Sequence, residues 1–197
     1  MSLQSGKRIF EALNEMKYDV EMLHINGQSV EEIVTQCAKC DVAFLALHGG
    51  NGENGRMQAA LDLAGIKYTG SGYLGSALAM NKSIAKQVAK SVAGVHVANW
   101  VVTRSNVTTD GISFPCIVKP CSNGSSVATS IVYDDSQIAP AVNAALAVDD
   151  EIMIENYIKG TEISVGVLDG KAMTPIEIAP KQGFYSYENK YVDGNTE

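Results

Sequence analysis

Residues 41–47 read DVAFLAL and empty directly into HGGNGENG at residues 48–55. A short, continuous apolar run that stops at glycines is what a strand buried on both faces of a parallel sheet requires, because helices cover such a sheet from two sides. The flanking chain agrees with that demand. Upstream, Leu3, Ile9, Phe10, Leu13 and Met16 recur at helical spacing, residues 18–25 (YDVEMLHI) read as a strand, and Ser29 with Glu32 forms a capping box that opens a helix predicted to run through Cys40. Downstream, residues 57–64 read as a helix closed by Gly65, with a short strand KYTG at residues 67–70. Helix and strand in alternation define an open α/β sheet, whose ligands gather at the carboxyl ends of the strands. Residues 48–55 lie at such an end, which makes His48 and Glu53 candidate ligand contacts. The competing reading of His48 is a histidine satisfied by a structural hydrogen bond.

A different pattern begins near Met80. Residues 82–93 read as a helix, 99–103 as a strand, and 114–120 as another strand that pairs through a turn at Gly124 with residues 127–132. An alanine-rich helix is predicted over residues 136–147. Three further strands, EIMIENYI, EISVGVLD and AMTPIEIA, then follow without helices between them, the last two joined by Asp169-Gly170, a strong hairpin signal. Consecutive strands of this kind make the second part α+β with an antiparallel sheet. Within FPCIVKPCSNGSSVATSIV, Lys119 sits where a strand should bury itself, and a buried ammonium needs a counter-charge. Lys119 is either an edge residue whose stem covers apolar surface while its head reaches water, or the partner of an anionic ligand that also meets the Asn123-Gly124-Ser125-Ser126 turn.

Charge and cysteine usage narrow the function classes. The net charge of −7 on 197 residues argues against a nucleic-acid binder that works by neutralising phosphates. No stretch approaches the roughly 20 apolar residues of a membrane span, and the amphipathic start MSLQSGKRIFEALNEM differs from a signal peptide, so no membrane partner and a cytoplasmic location are expected. The four cysteines do not ask for disulfides in a chain with this much Ile, Val and Leu. Cys37 and Cys40 form a lone CxxC at the end of a predicted helix, where the dipole disfavours a thiolate, so both are read as structural.

Five stretches in order, HGGNGENG with MQAALDLAGIKYTGSGYLGSALAMNK, FPCIVKPCSNGSSVA, IMIENYIKGTEISVGVL and IEIAPKQGFYSYENKY, together resemble the D-alanine:D-alanine ligases of the ATP-grasp superfamily. The resemblance implies an α/β N-terminal open-sheet domain over residues 1–80, followed by an α+β ATP-grasp domain with an antiparallel sheet over residues 81–197, both incomplete. It also implies ATP-dependent joining of two D-alanines through an acyl phosphate for peptidoglycan precursor synthesis. A non-catalytic nucleotide-binding fragment, or a ligase with another acceptor such as D-serine, is the alternative.

By the same resemblance Lys82 and Lys119 meet the nucleotide's phosphates, Gly124, Ser125 and Ser126 form the loop over them, and Lys190 reaches them from a mobile segment, residues 184–191. Glu155 meets the adenine amino group, the backbone of Tyr157 and Ile158 the adenine edge, and Glu162 the ribose hydroxyls. Tyr191 and Ser125 orient the substrates, and His48 and Glu53 stand on the D-alanine side. ATP and Mg2+ are the implied cofactors and D-alanine the substrate; a homodimer is left open. Compared with the family's pattern, the chain starts beyond the acid that meets the first D-alanine and stops before the metal-binding carboxylates, so the chain by itself is expected to be inactive. Asn54 and Asn81 stand where the pattern has acids.

Overall fold

In a computed structural model of the chain, residues 2–104, 107–181, 183, 185, 189, 190 and 196 are described. The chain divides into two compact units, Met1–Ala85 and Lys86–Glu197.

The first unit carries α1 (Ser2–Glu15), α2 (Val30–Cys37), α3 (Arg56–Leu63) and α4 (Tyr73–Met80). The capping box forms as the sequence predicts: the Glu32 backbone N–H donates to Ser29 Oγ at 3.2 Å while the Ser29 backbone N–H donates to Glu32 Oε2 at 2.8 Å. Helix α2 stops at Cys37, three residues short of the predicted end. There the backbone tightens into three-residue turns, with Lys39 N donating to Gln36 O and Cys40 N to Cys37 O. Residues 41–47 are extended, but their neighbour is brief. Ala43 pairs in parallel with Tyr68, through Ala43 N to Lys67 O at 2.8 Å and Thr69 N to Ala43 O at 3.1 Å.

The expected burial of that run on both faces is met on one. Leu45, Leu47 and Ala43 point into a core of Ile33, Met57, Leu61 and Ile66 from α2, α3 and the following turn, whereas Val42 and Phe44 on the opposite face are about half exposed. Residues 18–25, predicted as a strand, are extended without a ladder among the described residues. An extended segment becomes a strand only where a neighbour takes its N–H and C=O groups, which local sequence cannot report.

The second unit is built on a four-stranded antiparallel sheet in the order β1 (Trp100–Thr103), β4 (Ile152–Asn156), β2 (Cys116–Pro120), β3 (Ser130–Val132). Helix α5 (Lys82–Ser91) precedes it in sequence, and α6 (Ile138–Leu146) connects β3 to β4. Alternation along the strands separates two faces. Cys116, Val118, Ile152, Ile154 and Val132 pack on Ile138, Ala141, Val142 and Ala145 of α6, and all are buried. The registers Ile117↔Glu155, Lys119↔Met153 and Trp100↔Glu155 place Ile117, Lys119, Met153, Glu155 and Trp100 on the other face. Beyond the sheet, β5 (Glu162–Ser164) pairs with β8 (Ile176–Ile178), and β6 (Val167–Leu168) with β7 (Lys171–Ala172). The Asp169-Gly170 turn has positive φ at both residues, 50° and 71°, as a two-residue hairpin of this twist requires.

Candidate functional site

Lys119 has a counter-charge within the protein. On the sheet face away from α6, Glu155 of β4 accepts hydrogen bonds from Lys119 through Oε1 and from Lys86 of α5 through Oε2. The side chains are 11%, 21% and 16% exposed in that order, so the group is largely withdrawn from water. Burial alone pushes the Glu155 carboxyl up, but the two ammonium groups outweigh it and hold it below the ordinary glutamate range. Lys86 Nζ also lies 5.1 Å from the centroid of the Trp100 ring and Lys90 Nζ 5.9 Å from it, so the indole face shares in stabilising this concentration of positive charge. Neither alternative left open for Lys119 describes this state, in which its head group meets a buried carboxylate of the adjacent strand.

The glycine-serine loop leaves the carboxyl end of β2. Ser122 N donates to Asp149 Oδ2 and Asn123 Nδ2 to Val148 O, each at 2.6 Å, which fixes the base of the loop to the turn before β4. Beyond that anchor Ser125, Ser126 and Ala128 all adopt positive φ, 57°, 57° and 50°. Side chains with a Cβ rarely take this conformation, and such residues cluster where a loop is shaped for a ligand. Ser126 Oγ donates to the Tyr185 carbonyl at 3.0 Å, and Lys190 Nζ stacks 4.9 Å from the Tyr185 ring centroid. The segment expected to close over the phosphates therefore touches the loop. Tyr191, Phe184 and residues 186–188 of that segment lie outside the described residues.

The adenine-side candidates are spread along one stretch of chain. Tyr157, 38% exposed, follows β4 and donates its backbone N–H to Pro115 O at 3.2 Å. Ile158 is exposed, and Glu162 opens β5 on an exposed position. Lys82 is the first residue of α5, half-buried, in the helix's N-terminal turn. Asn81 caps that helix: its Oδ1 accepts from Ser83 N at 3.0 Å and Ile84 N at 3.1 Å. Asn54 likewise accepts from Arg56 N at the start of α3, at 3.2 Å. At position 81 a side-chain oxygen is what the helix start needs, and an amide supplies it as an acid would.

In the first unit, His48 Nε2 and Ser5 Oγ lie 2.9 Å apart, and the His48 backbone N–H donates to Ser2 Oγ at 3.0 Å. Glu53 Oε2 accepts from Gly49 N at 2.8 Å, with its other oxygen 3.9 Å from His48 Nδ1. His48 and Glu53 are thus brought together on an exposed loop in which Gly52 and Gly55 are packing requirements. A Cβ at Gly52 would lie 2.3 Å from Leu47 Cβ, and one at Gly55, where φ is 87°, 2.3 Å from the Tyr73 carbonyl oxygen. Gln58, buried, donates to the Gly52 carbonyl at 2.7 Å.

Sequence reasoning passed over Lys86, Trp100, Gln58 and the α1 serines. For Lys86 a signal existed: Lys82, Lys86 and Lys90 recur every four residues along one face of α5. Among the described residues no three His, Cys, Asp or Glu side chains converge as a metal site would require. No step below runs through Mg2+.

An antiparallel sheet backed by one helix, with a lysine-flanked carboxylate on its open face and a glycine-serine loop at its strand end, is the arrangement of an ATP-grasp protein. Family profiles described as D-ala D-ala ligase C-terminus and D-ala D-ala ligase N-terminus match residues 89–197 and 26–71. The chain is 42% identical over 201 residues to the D-alanine--D-alanine ligase of Geobacter sulfurreducens, covering 100% of itself and 63% of that protein. The crystal structure of the D-alanine--D-alanine ligase from Bacillus anthracis superposes with a TM-score of 0.82 at 32% identity, over 100% of this chain and 65% of that one. The same enzyme complexed with ATP gives 0.80 at 32% identity, over 94% and 63%. VanG D-Ala:D-Ser ligase from Enterococcus faecalis gives 0.66 at 30% identity, over 80% and 48%. The chain belongs to the D-alanine:D-alanine ligase family, and it spans a little under two thirds of the length of the Geobacter sulfurreducens and Bacillus anthracis relatives.

Proposed function

We propose that this chain supplies the nucleotide-binding and part of the D-alanine-binding machinery of a cytoplasmic D-alanine:D-alanine ligase acting in peptidoglycan precursor synthesis. Residues 81–197 serve the nucleotide and residues 1–80 the amino acid. The observation that carries this reading is the pairing of Lys119 with Glu155 on one sheet face, beside a loop whose serines stand in the left-handed region. Family membership gives that pair its ligand: the relative from Bacillus anthracis has been crystallised with ATP.

In this reading Lys119, Lys82 and Lys190 neutralise the phosphates, and the Gly124-Ser125-Ser126 backbone covers them. Glu155 accepts from the adenine amino group, the backbone of Tyr157 and Ile158 meets the adenine edge, and Glu162 holds the ribose hydroxyls. The chemistry follows from the weakness of a carboxylate as an electrophile. Attack of the carboxylate of one D-alanine on the terminal phosphorus of ATP makes an acyl phosphate and releases ADP. The amine of the second D-alanine attacks that carbonyl, phosphate leaves, and the amine's proton is lost to solvent or a base. Ser125 and Tyr191 orient the substrates, while His48 and Glu53 act on the D-alanine side. The D-alanine acceptor is favoured over D-serine because relatives 42% identical over the whole of this chain are D-alanine--D-alanine ligases.

Nucleotide binding tests the reading. A fluorescent ATP analogue should bind the wild-type chain and lose about tenfold or more in affinity with Lys119→Ala, since charge-assisted contacts are worth roughly 1.5–3 kcal/mol each. Equal affinities would remove Lys119 from the site.

A further inference from the structure

One buried carboxylate, Glu155, serves two ammonium groups that arrive from different elements, Lys119 from β2 and Lys86 from α5. Among the described residues Glu155 is the one carboxylate that ion-pairs with either of them. Lys86 is held on its other side by the Trp100 ring, whose residue stands opposite Glu155 in the β1–β4 register. Its position therefore does not depend on Lys119.

We propose that Lys86 is a positioning residue for nucleoside polyphosphates: it keeps Glu155 paired while Lys119 leaves the carboxylate for a phosphate. The proposal rests on the nucleotide reading above. An ammonium that turns from a buried carboxylate to a ligand strands that carboxylate unless a second cation stays behind, and an unpaired buried charge is strongly unfavourable. With Lys86 in place, Glu155 has a partner before and after the exchange. Lys119 then trades one anion for another. Without Lys86, Lys119 is the sole counter-charge of Glu155 and is withheld from the ligand. A ligand lacking phosphates draws nothing from Lys119, so the effect is confined to the polyphosphate chain.

The test compares ATP with adenosine, by competition against a fluorescent nucleotide, on the wild-type chain, Lys86→Met and Lys86→Arg. Methionine keeps an apolar stem beside Trp100 and removes the charge. Lys86→Met should weaken ATP by about tenfold and adenosine by less than about twofold, and Lys86→Arg should restore ATP to within about threefold of wild type. In the double variant Lys86→Met/Glu155→Gln no carboxylate remains to be stranded, and the ATP-to-adenosine ratio should return to the wild-type value. A merely structural role would weaken both ligands alike. That result, or unchanged ATP affinity in Lys86→Met, overturns the proposal and leaves the nucleotide reading standing, whereas a wild-type chain that binds no ATP overturns both. Should Lys86→Met fail to fold, Lys86→Arg carries the test, because loss of the ATP preference in a variant that keeps the charge contradicts the proposal.

Discussion

Glu155 ties the stability of the second unit to pH. Its carboxyl is held below the glutamate range of the unfolded chain, about 4.3, so the ion pairs contribute fully above that value and are lost as pH falls through the lower, folded one. Urea midpoints followed from pH 7 to pH 3 should therefore fall for the wild type. In Glu155→Gln, which has no proton to take up, that part of the decline should vanish, at the cost of about 3 kcal/mol at pH 7 from leaving Lys86 and Lys119 without their common partner. An unchanged pH slope in the variant would show that other carboxylates govern acid unfolding. Lys119 could be singled out in the sequence because a lysine inside an apolar run demands an explanation. Lys86 carried only the four-residue recurrence of lysines along α5, because its role depends on Glu155, 69 residues away.

At the level of elements, signals that close within a few residues were the ones the sequence carried. The Ser29 and Glu32 box, the Asp169-Gly170 hairpin and the β2–β3 turn each join groups near in the chain, and each forms. Residues 18–25 and 41–47 depended on neighbours far away, so their character as strands was overstated by local composition. Asn81, which stands where the family pattern has an acid, caps the start of α5 through its side-chain oxygen. Helix α5 should accordingly tolerate Asn81→Asp to within about 0.5 kcal/mol, while Asn81→Ala should cost about 1 kcal/mol. Denaturant melts monitored by circular dichroism distinguish the two. Equal losses would mean that the amide's N–H donors, rather than its oxygen, are what the junction uses.

For the molecule as a whole, the cysteines report on the two units separately. Cys40 is exposed and Cys37 half-buried in the first unit, while Cys116 and Cys121 in the second are fully buried. Burial pushes the Cys37 and Cys116 thiols up, and for Cys37 the nearby Cys40 adds to the effect. A thiol reagent in native buffer should label Cys40 first, Cys37 more slowly, and Cys116 and Cys121 only at urea concentrations that open the sheet from α6. Rapid labelling of all four would contradict the packing of the second unit.

Strand β2 also bears on how such a protein can change over generations. Positions 116 and 118 answer to the helix behind the sheet, and positions 117 and 119 to whatever the open face meets. Substitutions within one set are nearly invisible to the other, so ligand preference can drift without renegotiating the core. Loss or gain of a single residue in the strand has no such freedom. It would exchange the two sets at once, turning the lysine toward α6 and the thiol toward the ligand, and a lineage carrying it would forfeit core and chemistry in the same step.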